Sequence, residues 1–255
     1  MGGRLTRDDS SSRAALPLLL EGVRRLGIRL EIAQEEAFVS YCSLLLERNR
    51  HVNLTGVRTS EKAMTTLFLD SLTALLALPD GWVSKPIAVC DVGAGAGLPG
   101  LPLKIACPAW KLTLIESIGK KAAFLKEVVE ALSIAGVNIL PARAELVASE
   151  QKMRASMDLC CARAVASLPS LIELCAPLVR TGGLLVFPRS GALENELLEA
   201  KSAARALNVR PRPLVPIPTS LGLGEQRALV VYEKSGETAS RFPRRVGMAT
   251  NNPIL

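Results

Sequence analysis

The run Asp91-Val92-Gly93-Ala94-Gly95-Ala96-Gly97-Leu98-Pro99-Gly100 constrains the fold more than any other stretch, because it follows an apolar run at 87–92 and precedes a helix-like segment. Glycines at alternate positions tolerate positive φ and carry no Cβ, so the backbone can approach a ligand closely where the strand ends. A strand, a glycine-rich turn and a helix in that order form the opening unit of a doubly wound α/β sheet, and such a turn binds an adenosine-bearing cofactor.

The letters admit two registers. From Gly95, Gly95-x-Gly97-x-x-Gly100 matches the dinucleotide fingerprint, with Glu116 further on as a ribose-binding acid. From Asp91, an acid, one residue and then Gly93-x-Gly95-x-Gly97 resembles motif I of the S-adenosyl-L-methionine (SAM) dependent methyltransferases. The first fingerprint glycine belongs at the strand end, and that place falls to Gly93, so the literal dinucleotide pattern starts two residues late. An acid at the strand tip also suits SAM, whose amino group and sulfonium are cationic. The register favours SAM, with a nicotinamide-dependent oxidoreductase and a merely structural glycine turn as the alternatives.

Residues 1–13, with Asp8, Asp9 and three consecutive serines, read as a disordered leader. Residues 14–80 read as a helical N-terminal extension. In it, 16–26 runs to Gly27 as a C-cap, and Ile32, Phe38, Val39, Cys42, Leu45 and Leu46 build one apolar stripe. A polar loop follows at 49–59, and helical periodicity returns at 64–78. Residues 81–255 read as the cofactor domain, with strands at 87–92, 112–116, 137–140, 157–161, 184–187 and 227–234, and helices at 101–107, 120–132, 168–178 and 192–207. Near-continuous apolar strands joined by helices predict a mostly parallel sheet covered on both faces. Pro211, Pro213, Pro216 and Pro218 mark an irregular or edge segment.

Composition narrows the partners. Lys and Arg outnumber Asp and Glu by 31 to 24, a basic excess that favours polyanions such as RNA. Six cysteines (Cys42, Cys90, Cys107, Cys160, Cys161 and Cys175) lie mostly inside apolar runs, with no C-x-x-C, and His51 is the single histidine. This usage points to a reducing cytoplasm and away from a metal site. No apolar stretch reaches the roughly 20 residues of a membrane span.

Candidate site residues sit at the strand ends. Glu116 ends the second strand, where an acid can accept both ribose hydroxyls of an adenosine. Ala144-Glu145 follows the third strand, near where an adenine ring would lie, and the fourth delivers Arg163, whose fork suits a carboxylate or a phosphate as well as an ordinary ion pair. His51 lies in a polar basic loop, where a phosphate or base contact competes with simple solvation. No Pro-Pro-aromatic box or Pro-Cys follows the fourth strand, and Cys160 and Cys161 read as core. Guanine N7 suits such an inventory, because it is already an unprotonated nucleophile and needs alignment and exclusion of water rather than a general base.

Several separated segments agree: Asn49-Arg50-His51-Val52-Asn53-Leu54-Thr55, Leu69-Asp70-Ser71-Leu72, 91–102, Gly119-Lys120-Lys121 with Phe124-Leu125, Arg143-Ala144-Glu145, Ala162-Arg163-Ala164-Val165-Ala166-Ser167-Leu168, and Phe242-Pro243-Arg244-Arg245 with Gly247. Together they resemble the bacterial 16S rRNA guanine-N7 methyltransferases, the RsmG or GidB family, in collinear order over roughly 35–254. The resemblance implies a class I SAM-dependent methyltransferase, with a Rossmann-like sheet and a helical N-terminal extension. It also implies a guanosine of 16S rRNA as target, in the small ribosomal subunit or its assembly intermediate.

Carried over by motif, the cofactor residues are Gly93, Leu98, Ala144, Glu145 and Arg163, with Asp91, Gly95 and Glu116 nearby. Asn53 and Thr55, beside Arg50 and His51, are the candidates for substrate positioning; Asn53 and Arg163 are the catalytic candidates, and Arg189, Arg244 and Arg245 the phosphate contacts. The expected protein is a cytoplasmic monomer without a metal or a membrane partner. Members often carry a basic residue and a histidine where this chain has Thr66-Leu67, Lys-Gly where it has Arg189-Ser190, and paired lysines where it has Asn251-Asn252. Each change is expected to weaken an RNA contact and leave the cofactor pocket untouched, which keeps a catalytically silent RNA-binding assembly factor as the alternative.

Overall fold

The computed structural model describes residues 7–163 and 166–255. The first six residues of the expected leader, and Ala164-Val165 of the Ala-Arg-Ala segment, lie outside the described residues. The sheet is built from β1 (Ala88–Val92), β2 (Lys111–Ile115), β3 (Val137–Leu140), β4 (Met157–Cys161), β5 (Val179–Ser190), β6 (Val209–Pro211), β7 (Val215–Pro216) and β8 (Arg227–Lys234). The strand order is β3-β2-β1-β4-β5-β8-β6, with β7 also on β8. The first five strands are parallel, and β8 runs antiparallel to β5, β6 and β7. This is the mostly parallel, doubly wound sheet that the strand pattern predicts. Its order reverses between β1 and β4, and the crevice beyond their carboxyl ends is where such sheets bind ligands.

Alternation along the strands fills two cores. Val89, Leu159, Cys161, Leu184 and Val186 point to one face, beneath the N-terminal helices. Cys90, Val92, Cys160, Leu185 and Phe187 point to the other, beneath the helices that follow β3, β4 and β5. All six cysteines are buried and none forms a disulfide, as expected of core residues.

The N-terminal helices are α1 (Arg7–Arg25), α2 (Ile32–Asn49) and a composite segment. The composite joins α3 (Ser60–Lys62), a π-helical stretch Ala63–Leu69, α4 (Asp70–Leu72) and a 3-10 turn Thr73–Ala77. The start of α1 corrects the leader expectation from residue 7 onward. Ser12 is fully buried there and accepts a hydrogen bond from Ser43 of α2 at 3.0 Å, while Arg13 pairs with Glu36 at 2.6 Å. A polar segment can be ordered when a neighbouring helix satisfies its hydroxyls.

The sheet helices are α5 (Gly100–Ala106), α6 (Gly119–Ala131), α7 (Ala144–Ser149), α8 (Leu168–Cys175) and α9 (Glu194–Ala206), and a short α10 (Met248–Asn251) closes the chain. Acidic residues open α9 and Arg205 ends it, complementing the helix dipole. The segment after β3, outside the helices expected from the sequence, is the short helix α7.

Candidate active site

The glycine turn forms one wall of the crevice. Gly93 N and Ala94 N both donate to Ile115 O of β2, at 2.9 and 3.1 Å, so Gly93 is the first residue past the strand. Gly93, Gly95 and Gly97 have φ values of 72°, 58° and 92°, a backbone that side-chain-bearing residues adopt at a cost. A Cβ at Gly97 would sit 2.8 Å from Tyr41 Oη and closer still to the Leu101 side chain. Tyr41, fully buried in α2, donates its hydroxyl proton to Ala96 O and stacks on Phe68 with ring centroids 4.7 Å apart. The N-terminal extension therefore braces the turn from below.

The acids divide in role. Glu116 sits where the strand pattern places it: Oε2 accepts from Gly95 N at 2.8 Å and Oε1 from Ile118 N at 2.7 Å, tying the turn to the end of β2. Asp91 departs from expectation. It is fully buried beneath the turn, not in the crevice lining, and its Oδ2 accepts from Gly100 N at 2.8 Å, the first residue of α5. Burial pushes its carboxyl up to about 7, against the lowering effect of the Gly100 N–H and of Arg163. Oδ1 is buried without a hydrogen-bond partner. Asp91 thus anchors a helix N-terminus rather than presenting its charge to a ligand. Glu145 is also buried, and its Oε1 accepts from Gly247 N at 2.8 Å.

The facing wall comes from the loop after α2. Asn49 is buried, and its single side chain makes four hydrogen bonds. Nδ2 donates to Thr55 O and Val57 O at 2.9 and 2.8 Å, and Oδ1 accepts from Leu54 N and Thr55 N at 2.9 and 3.0 Å. That clamp turns Leu54 and Thr55 into the crevice, while Arg50, His51 and Asn53 of the same segment are exposed and are not among the lining residues.

Arg163 reaches in from the end of β4. Its Nη1 donates to Asp70 Oδ2 at 2.9 Å and lies 3.4 and 3.5 Å from Thr66 O and Leu67 O. Asp70 Oδ1 accepts from Arg227 Nη2 as well. The backbone carbonyls of Thr66 and Leu67 thus border Arg163, while neither residue lines the pocket.

Between the walls lies a pocket of about 380 Å³ lined by Leu54, Thr55, Gly93, Gly95, Leu98, Glu116, Lys121, Arg143 and Arg163, among others. Beside it, a space of about 180 Å³ is bounded by Val92, Ala144, Glu145 and Thr250 and shares Gly93, Ser117 and Arg143 with the first. The size suits a small cofactor. The donor set suits SAM: a carboxylate for a ribose diol at Glu116, a guanidinium for an amino-acid carboxylate at Arg163, and apolar surface at Leu98 and Ile118 for a base.

Residues 34–218 match the family described as rRNA small subunit methyltransferase G. The chain is 39% identical over 239 residues to the Ribosomal RNA small subunit methyltransferase G of Roseiflexus sp. (strain RS-1), an alignment covering 94% of this chain and 100% of that one. The chain belongs to the rRNA small subunit methyltransferase G family. A methyltransferase G from Rubrobacter xylanophilus is likewise 39% identical over 257 residues, 99% of this chain and 95% of the other. A solved SAM dependent methyltransferase from Aquifex aeolicus shares the fold, with a TM-score of 0.50 at 15% identity over 68% of this chain and 93% of that one. Membership in methyltransferase G, with Gly93 at the strand end, sets aside the nicotinamide alternative.

Two of the phosphate contacts that the methyltransferase G resemblance implies are engaged internally. Arg189 is largely buried; its Nη2 donates to Ala166 O at 3.0 Å and its Nε lies 3.2 Å from Glu196 Oε1. Arg244 grips the buried Glu173 through both Nε and Nη2, at 2.8 and 2.6 Å, and donates to Asn252 O. Both expectations are corrected: Arg189 ties α9 to β5, and Arg244 pins the C-terminal segment to α8. Arg245 beside them is exposed. Tyr41, Asn49 and Asp70 are site residues that the sequence does not single out, since Tyr41 stands outside the apolar stripe of its helix and the other two lie in motifs whose local letters name no partner. Among the described residues, no helix is long and apolar enough to cross a membrane, and no group of three or more His, Cys, Asp or Glu side chains is placed to hold a metal.

Proposed function

We propose that this chain transfers the methyl group of SAM to N7 of a guanosine in 16S rRNA, acting as a cytoplasmic monomer on the small ribosomal subunit or its assembly intermediate. The observation that carries the reading is the convergence of the glycine turn, Glu116 and Arg163 on one pocket, lined also by Leu54 and Thr55 of the segment in which Arg50, His51 and Asn53 are exposed. The bound cofactor supplies an electrophilic methyl group on a sulfonium. Gly93, Gly95, Leu98 and Glu116 hold its adenosine end, with Ala144 and Glu145 beside the base, and Arg163 takes the amino-acid carboxylate.

Asn53 and Thr55 align the guanine, while Arg50, His51 and the exposed Arg245 meet phosphates. Held by Gly93, Glu116 and Arg163, the cofactor would supply an electrophilic methyl carbon to the N7 lone pair, with the carbon–sulfur bonding pair left on sulfur. No proton is transferred in that step, so no general base is needed. Catalysis rests on alignment and on exclusion of water, with Arg163 contributing as a positioning cation.

Calorimetry with SAM and with NADH, followed by transfer of labelled methyl to purified small subunits, tests the reading. SAM binding with label in the subunits is expected. Absence of SAM binding overturns it, and binding to subunits without transfer leaves the silent assembly factor.

A further inference from the structure

The pocket presents three basic side chains, Lys121, Arg143 and Arg163, and a single carboxylate, Glu116. A cationic methyl donor must settle into this excess of positive charge. Behind Arg163 stands Asp70, whose side chain is 5% exposed and bridges Arg163 and Arg227 through its two oxygens. Asp70 follows the π-helical stretch, so its carboxylate is delivered by the N-terminal extension to guanidiniums that the ends of β4 and β8 supply. Such an off-register helical turn recurs where a side chain is aimed at a site. The arrangement holds one carboxylate for two cations, and Arg227 Nε is itself buried without a partner.

We propose that Asp70 is a positioning residue that fixes Arg163 at the cofactor pocket and offsets its charge, so that the site accepts a cationic sulfonium beside a guanidinium. The proposal rests on the SAM-dependent reading of the pocket. It makes the affinity for SAM relative to S-adenosylhomocysteine a measure of Asp70, because the two ligands differ at sulfur by one methyl group and one positive charge. Asp70→Asn keeps the size, removes the compensating charge and leaves one oxygen to accept from one of the two guanidiniums. A charge removed one side chain behind a partly screened site is worth about a fivefold change in that ratio.

The experiment is calorimetric titration of the wild type, Asp70→Asn, Asp70→Glu and Arg227→Gln with both ligands, each variant checked for folding by circular dichroism. Asp70→Asn is expected to weaken SAM about fivefold more than S-adenosylhomocysteine, and Asp70→Glu to restore most of the wild-type ratio. Arg227→Gln removes a cation and is expected to shift the ratio the other way, which keeps the proposal testable if Asp70→Asn does not fold. Equal weakening of both ligands in Asp70→Asn, or an unchanged ratio in Arg227→Gln, overturns the proposal. A wild type that binds neither ligand overturns the SAM reading itself.

Discussion

The two walls of the pocket are built differently. The glycine wall is made of backbone: its N–H groups bond to Ile115 O and Glu116, and its shape is set by positive-φ residues next to the strand that leads into it. The facing wall is made of side chains whose positions depend on distant partners, with Asn49 clamping the 54–57 loop and Asp70 holding Arg163 across 93 residues of chain. At Gly97 and Gly100 the backbone cradle leaves no space for an added Cβ. A side-chain scaffold tolerates volume and fails when one polar partner is lost.

The largest expected effect is on the glycine wall. Gly97→Val places a branched side chain at φ 92°, against Tyr41 Oη and Leu101, and is expected to abolish SAM binding and to cost more than about 3 kcal/mol of stability. Chemical denaturation and calorimetry check both, and unchanged SAM affinity would break the contrast between the walls.

Asp91 supplies a pH signature beneath that same wall. Its folded carboxyl titrates near 7, above its unfolded value near 4, so the native state binds the extra proton between those values. The contribution of the protonated form is complete below pH about 4 and is lost as pH rises toward 7, an effect of a few kcal/mol. Denaturation across this range should show the wild type falling relative to Asp91→Asn, whose side chain does not titrate. Parallel pH curves would contradict the placement of Asp91.

The adjoining arginines sharpen the side-chain half of the comparison. Arg244→Ala leaves Glu173 buried and uncompensated and is expected to cost about 3 kcal/mol. Arg245→Ala is expected to leave the melting temperature unchanged and to lower the salt slope of RNA binding by about one. Asn49→Ala removes four hydrogen bonds from a buried site and is expected to cost about 2 kcal/mol. Hydrogen exchange at the Leu54 and Thr55 amides, which Asn49 Oδ1 holds, should accelerate more than exchange at Gly95, and equal acceleration would erase the difference between the walls.

The same division explains what the sequence makes legible. Strand alternation and the glycine run are local signals, so 137–140, 157–161 and 227–234 coincide with β3, β4 and β8, and Glu116 falls at the end of β2. Long-range satisfaction is not local. Ser12 reads as leader until Ser43 is beside it, and Arg244 reads as a surface cation until Glu173 is seen beneath it. The start of β5 is hidden for the same reason, since Arg180 to Gly183 carries no apolar alternation, yet Val179 pairs with Met157 of β4. Asp91 shows the converse: a motif letter can be right in position and different in role, because the strand buries its side chain under the turn instead of exposing it.

The most direct measurement is mass spectrometry of nucleosides from small subunits incubated with methyl-labelled SAM and this protein. The account predicts the label in 7-methylguanosine, with none when Gly97→Val replaces the wild type. Label on an exocyclic amine or a ribose hydroxyl, or no label at all in subunits that have not been modified before, would contradict it.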